Sequence, residues 1–122
     1  MNERLDNVNV TKEIKNVLIR LGFSPNLRGY KYLCTAINLT LQDNELINRV
    51  TKGLYPKVAE VYGDNTDSVE RNIRHAIKVA YNSKKIFEIN NIFASTILTS
   101  NEKPTSSQLI ALLVEKIFIN LL

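Results

Sequence analysis

An all-α fold, a compact bundle of about six helices, is what this sequence predicts. Apolar residues recur at three- and four-residue spacing along nearly the whole chain. No stretch keeps the alternation of apolar and polar residues that a half-buried strand requires. Clusters of Gly, Pro, Asn, Asp, Ser and Thr separate the periodic stretches, where helices stop and start. With 122 residues and 44% hydrophobic content, the chain can bury one core without disulfide or metal support.

Residues 1–10 are polar and are expected as a flexible tail ahead of a single helical domain over 11–122. Thr11 is suited to cap a first helix with Ile14, Val17, Leu18 and Leu21 on its apolar side, and Gly22 is its expected stop. Ser24-Pro25-Asn26 connects to a second helix from about Leu27 to Leu41, carrying Tyr30, Leu33, Ile37 and Leu41, and Gln42-Asp43-Asn44 breaks it. A third starts near Glu45 with Leu46, Ile47, Val50, Leu54, Val58 and Ala59 as its apolar set. Pro56, which lacks an N–H, should kink or divide it, with a bend expected just before that residue.

Gly63-Asp64-Asn65-Thr66-Asp67 has the composition of a tight turn ending in a cap, either Thr66 or Asp67, for a fourth helix that runs to about Tyr81 or Asn82. A shorter helix is expected near Phe87 to Phe93, marked by Ile89 and Ile92. Thr99 to Pro104 reads as an exposed loop, and Thr105 or Ser106 caps a last helix carrying Leu109, Ile110, Leu113, Ile117 and Leu121.

Several function classes are excluded by composition. Cys34 is the only cysteine and His75 the only histidine, so there is neither an intrachain disulfide nor a metal-ligand cluster. No Gly-rich phosphate loop or Ser-His-Asp set is available, so no enzyme and no cofactor are expected. Without a signal core or an apolar run near the ~20 residues of a membrane span, a cytoplasmic location away from membranes is expected. Cys34 lies in an apolar stripe, which suits an inert buried thiol. The 16 Lys and Arg against 12 Asp and Glu leave a charge of +4, which favours a polyanionic partner only if it gathers on one surface.

The segment from Asp67 to Tyr81 has that organisation. At about 100° per residue, Asp67, Glu70, Arg71, Arg74 and Lys78 fall within roughly a 100° arc, with Val69, Ile73, Ala76, Ile77 and Ala80 on the far side. Together with residues 51–62 and a turn at 63–66, the segment fits a helix-turn-helix, whose second helix lies in the major groove of double-stranded DNA. An Arg guanidinium matches guanine O6 and N7, and a carboxylate accepts from cytosine N4, so Glu70, Arg71 and Arg74 form a base-reading set. A glutamate repels phosphate, which makes Glu70 a discriminating group rather than a source of affinity.

The plainer account makes Glu70 with Arg74, and Asp67 with Arg71, ordinary i,i+4 pairs on a solvated helix, worth ~0.3 to 0.5 kcal/mol each. Phosphate-contact candidates are Ser68 at the helix start, His75 and Lys78 beside the reading arc, and Thr51 and Lys52 near the start of the supporting helix. Lys103, Thr105 and Ser106 at the last helix N-terminus complete the set, either as a phosphate clamp or as a simple cap. Tyr30, Tyr32 and Tyr55 are assigned to packing. A helical protein-interaction module without specific DNA binding is the alternative, with the apolar run Ile117 to Leu122 docking a partner.

Gly29-Tyr30-Lys31-Tyr32-Leu33 with Ala36-Ile37, Tyr55-Pro56 with Ala59, Val69-Glu70-Arg71 with Ile73-Arg74-His75-Ala76-Ile77, and Lys103-Pro104-Thr105 with Ile110-Ala111 carry a specific likeness. Over about Val10 to Phe118, the chain resembles the C-terminal DNA-binding domain of the sporulation response regulator known as stage-zero sporulation protein A. The resemblance implies a six-helix fold with a helix-turn-helix, boxes of the TGTCGAA type, and base contacts from Glu70, Arg71 and Arg74. It also implies pairing of two copies on tandem boxes and a contact to the sigma subunit of RNA polymerase, mapping loosely onto Lys84 to Ile97. The chain departs from the family's common residues at Cys34 and Ser68 (both commonly Arg), Asn72 (Ala), Tyr81 (Trp) and Leu109 (Phe). The departures at Ser68 and Asn72 bear on affinity and site preference. The family's phosphorylated receiver domain has no counterpart in residues 1–10.

Overall fold

The computed structural model describes residues 3–121, with side chains from residue 9 to residue 120. Helix α2 (Arg28–Gln42) is the element on which the others assemble. It buries Gly29, Tyr30, Tyr32, Leu33, Ala36, Ile37 and Thr40 and packs against α1 (Glu3–Arg20), α3 (Tyr55–Tyr62), α4 (Thr66–Asn82) and α6 (Ser106–Leu121). A short α5 (Ile89–Phe93) completes six α-helices, and no strand occurs among the described residues. Their apolar stripes meet in one core that includes Leu18, Leu33, Leu54, Ile73, Leu109 and Ile117. Thr40, the buried hydroxyl of α2, donates to the Ala36 carbonyl at 2.9 Å and leaves nothing unsatisfied.

Helix α1 begins well before Thr11. Residues 3–10, expected as a tail, are helical, while residues 1 and 2 lie outside the described residues. Once Ile14, Val17, Leu18 and Leu21 are docked, each further residue adds a backbone bond without a new nucleation cost, and Val10 packs partly on the core. The stop near Gly22 is as expected.

The segment expected as one bent helix from Glu45 is three pieces. A 3-10 turn (Asn44–Asn48) is capped by Asp43, whose carboxylate accepts from Glu45 N at 3.1 Å. Arg49 is non-helical, and a π-turn (Val50–Leu54) then leads into α3. The wider turn keeps Val50 and Leu54 both buried, with the N–H groups of Gly53 and Leu54 sharing the Arg49 carbonyl at 2.8 and 2.9 Å. Pro56 sits in the first turn of α3, where its missing N–H costs nothing, so it marks a start rather than a kink within a helix.

A 3-10 turn (Lys85–Glu88) precedes α5, together matching the short element expected near Phe87 to Phe93. The Asn90 side chain accepts from Ile97 N and Leu98 N and donates to the Leu98 carbonyl, fastening the loop beyond α5. Thr105 and Gln108 then form a capping box for α6: Thr105 Oγ1 accepts from Gln108 N at 3.1 Å, and Gln108 Oε1 accepts from Thr105 N at 3.0 Å.

Candidate nucleic-acid interface

Helices α3 and α4 are joined by Gly63, Asp64 and Asn65. Gly63 takes φ +66°, a left-handed conformation that an L side chain resists, and Asp64 N closes the end of α3 on the Ala59 carbonyl at 2.9 Å. The cap of α4 is Asn65, one residue earlier than Thr66 or Asp67; its side-chain oxygen accepts from Ser68 N at 2.8 Å. Two further contacts bind the turn. Asp64 Oδ2 accepts from Tyr32 Oη at 2.5 Å and from Ser68 Oγ at 2.7 Å, with Arg28 at 3.8 Å.

The amphipathic division of α4 is the expected one. Val69, Ile73, Ala76, Ile77 and Ala80 are buried, while Asp67, Arg71, Arg74, His75 and Lys78 are exposed and Glu70 is half-buried at the edge. Arg74 pairs with Glu70 at 3.3 Å, the i,i+4 pair of the plainer account. Asp67 and Arg71 form no such pair among the described residues, so the Arg71 guanidinium stands ready for another acceptor. At side-chain exposures of 60% and 39%, the Arg74–Glu70 pair is worth only ~0.5 kcal/mol and opens readily.

Beside that pair lies a cleft of about 340 Å³, lined by Thr51, Tyr55, Glu70, Arg74, Ile77, Lys103, Pro104, Thr105, Ser106 and Ser107. The fold thus brings the base-reading candidates Glu70 and Arg74 together with four of the phosphate candidates, from the π-turn and the start of α6. Lys52, His75 and Lys78 are exposed but do not line it. Tyr55, 2% exposed, does the packing expected of it and also floors this cleft; burial pushes its phenol pKa up.

Ser68 is a correction. It is 7% exposed, and its hydroxyl donates to Asp64 instead of facing outward as a phosphate contact. Its position one turn before the half-buried Asn72 and beside the tight turn places it on the inner flank of α4. Asn72 folds back on it, Nδ2 donating to the Ser68 carbonyl at 2.8 Å and to Oγ at 3.2 Å. Asp64, which sequence reasoning treated only as turn composition, is the group that gathers them. Its carboxyl pKa is pushed down to about 2, chiefly by the Tyr32 hydroxyl, then by Ser68 and the Asn65 N–H.

Residues 14–117 match the family described as Sporulation initiation factor Spo0A C terminal. The chain belongs to this family.

The Spo0A C-terminal family is one of DNA-binding effector domains of a sporulation regulator, not of enzymes, and it is helical like this chain. Its match spans every element that builds the helix-turn-helix and the cleft. Within the described residues, no helix is long and apolar enough to cross a membrane. Cys34, the family-typical Arg position, is half-buried, and burial pushes its thiol up to about 11, as suits an unreactive group.

Proposed function

We propose that this domain recognises a specific DNA sequence, with α4 in the major groove, Arg71 and Arg74 reading guanines and Glu70 reading a cytosine of a TGTCGAA-like box. The observation that carries this reading is the convergence of Glu70 and Arg74 on a cleft lined by Thr51, Lys103, Thr105 and Ser106, next to Arg71, which has no ion pair among the described residues. Base-reading and backbone-holding groups then share one surface. Lys52, His75 and Lys78 extend it as further phosphate contacts. The positive end of the α6 dipole beside Lys103 favours an anion there. Pairing of two copies on tandem boxes and a sigma-subunit contact through Lys84 to Ile97 rest on the family resemblance alone.

Selection of bound sites from random duplex DNA tests the reading. Enrichment of a TGTCGAA-like box is the expected outcome; a different box means altered reading by α4, and no enrichment at all overturns it. The protein-interaction alternative draws on Phe118 and Ile119, which are 49% and 52% exposed on α6, whereas Ile117 is buried. The side chains of Leu121 and Leu122, also part of that apolar run, lie outside the described residues. Salt-insensitive association with a protein, in place of DNA binding, is the outcome that favours it.

A further inference from the structure

Four polar groups gather on the inner side of the first two turns of α4, away from the face that carries Arg71. Tyr32 Oη, from the second turn of α2, and Ser68 Oγ both donate to Asp64 Oδ2, at 2.5 and 2.7 Å. Asn72 Nδ2 donates to the Ser68 carbonyl at 2.8 Å and to Ser68 Oγ at 3.2 Å. From Asn72 through Ser68, the donors run toward the carboxylate, an orientation in which each bond strengthens the next. The backbone of Asn72 is pinned as well. A Cβ at Gly29 would stand 2.2 Å from the Asn72 carbonyl oxygen and 2.7 Å from Ala76 Cβ, so α2 and α4 touch there without slack. Glu70 and Arg71 occupy the stretch between Ser68 and Asn72.

We propose that Tyr32, Asp64, Ser68 and Asn72 form a positioning network for base reading, fixing the tilt and register of α4 so that Glu70 and Arg71 meet base edges in one geometry. This rests on the base-reading function proposed above. The four residues act through α4 rather than by touching bases. Bidentate recognition tolerates little displacement, so slack in these turns appears as lost discrimination before it appears as lost affinity. Arg74, a turn further along, lies beyond the network and pairs only weakly with Glu70 in the free protein. Base pairs read by Glu70 and Arg71 are therefore the ones that depend on it.

The test measures binding of the full chain to its selected duplex, to each single-base variant of that duplex and to random duplex, alongside the thermal midpoint. Glu70→Ala, Arg71→Ala and Arg74→Ala first identify which base pair each side chain reads. Asn72→Ala is expected to cut discrimination roughly tenfold at the Glu70 and Arg71 pairs, while sparing the Arg74 pair and binding to random duplex. Asp64→Asn keeps an acceptor for both hydroxyls and should retain the discrimination that Asp64→Ala loses. An Asn72→Ala protein that discriminates like the parent overturns the proposal, as does an equal loss on all duplexes that follows a lowered Tm. Absence of any sequence preference in the parent protein removes base reading itself, and the network falls with it.

Discussion

The Tyr32 hydroxyl lies 2.5 Å from Oδ2 of Asp64, joining the second turn of α2 to the turn between α3 and α4 across 32 residues of sequence. The bond has a consequence for acid stability. The Asp64 carboxyl is pushed down to about 2 by Tyr32 first, then Ser68 and Asn65, whereas an unfolded aspartate titrates near ~3.9. A depressed folded-state pKa contributes stability that is fully present above the unfolded value and is lost as pH falls through the folded one. The stability difference between the parent and Asp64→Asn, measured by urea unfolding, should therefore be constant above about pH 5 and shrink between about pH 4 and 2. A difference that stays level through that window contradicts the assignment.

Gly29→Ala should destabilise the fold by ~1 to 3 kcal/mol, the usual cost of overpacking. The added methyl meets the Asn72 carbonyl at 2.2 Å, a backbone atom that moves only if α4 moves. Urea unfolding measures the cost. A loss of binding to the selected box accompanies it, because α4 carries the reading face.

Arg71→Ala and Arg74→Ala should each cost ~1 to 3 kcal/mol on the selected box and little on random DNA. Equal losses on both would reduce these residues to phosphate contacts. The comparison is readable by fluorescence anisotropy at one fixed salt concentration.

Glu70→Ala should relax preference at one C·G pair and leave nonspecific binding unchanged or tighter, since it removes a carboxylate from the DNA-facing surface and frees Arg74 from its 3.3 Å pair. Uniform weakening across sequences supports the plain surface-pair account instead.

Lys103→Ala should weaken binding to all sequences alike and lower the slope of log affinity against log salt by about one. An unchanged slope would take Lys103 out of the phosphate-contacting set. Thr105→Ala separates capping from clamping: loss of the bond to Gln108 N should cost ~1 kcal/mol of stability, whether or not DNA is present.

The exposed, charged face of α4 was legible because periodicity is a local property. Val69, Ile73, Ala76, Ile77 and Ala80 lie on one side whatever surrounds the helix, which leaves Arg71, Arg74 and Lys78 on the other. The turn was legible from Gly63 and its polar neighbours, and the start of the last helix from Thr105 and Ser106, of which Thr105 is the cap, because caps are satisfied within a few residues. One local reading failed for a local reason: Asn65 outcompeted Thr66 and Asp67 as the cap. Pro56 divides the segment by opening α3, one of the two outcomes its missing N–H allowed. The start of α1 was hidden because it depends on docking of the stripe that follows it.

By itself, then, the sequence determined the all-helical class, the two faces of α4 and the residues its exposed face carries, since each follows from spacing along one element. The tertiary structure alone decided which partners those residues have. It turned Ser68 inward, gave Tyr32 and Asp64 to each other, and set Lys103 and Ser106 beside Glu70 and Arg74. These pairings depend on where helices cross, and the crossing of α2 with α4 is set by the missing side chain of Gly29, a feature that no periodicity records.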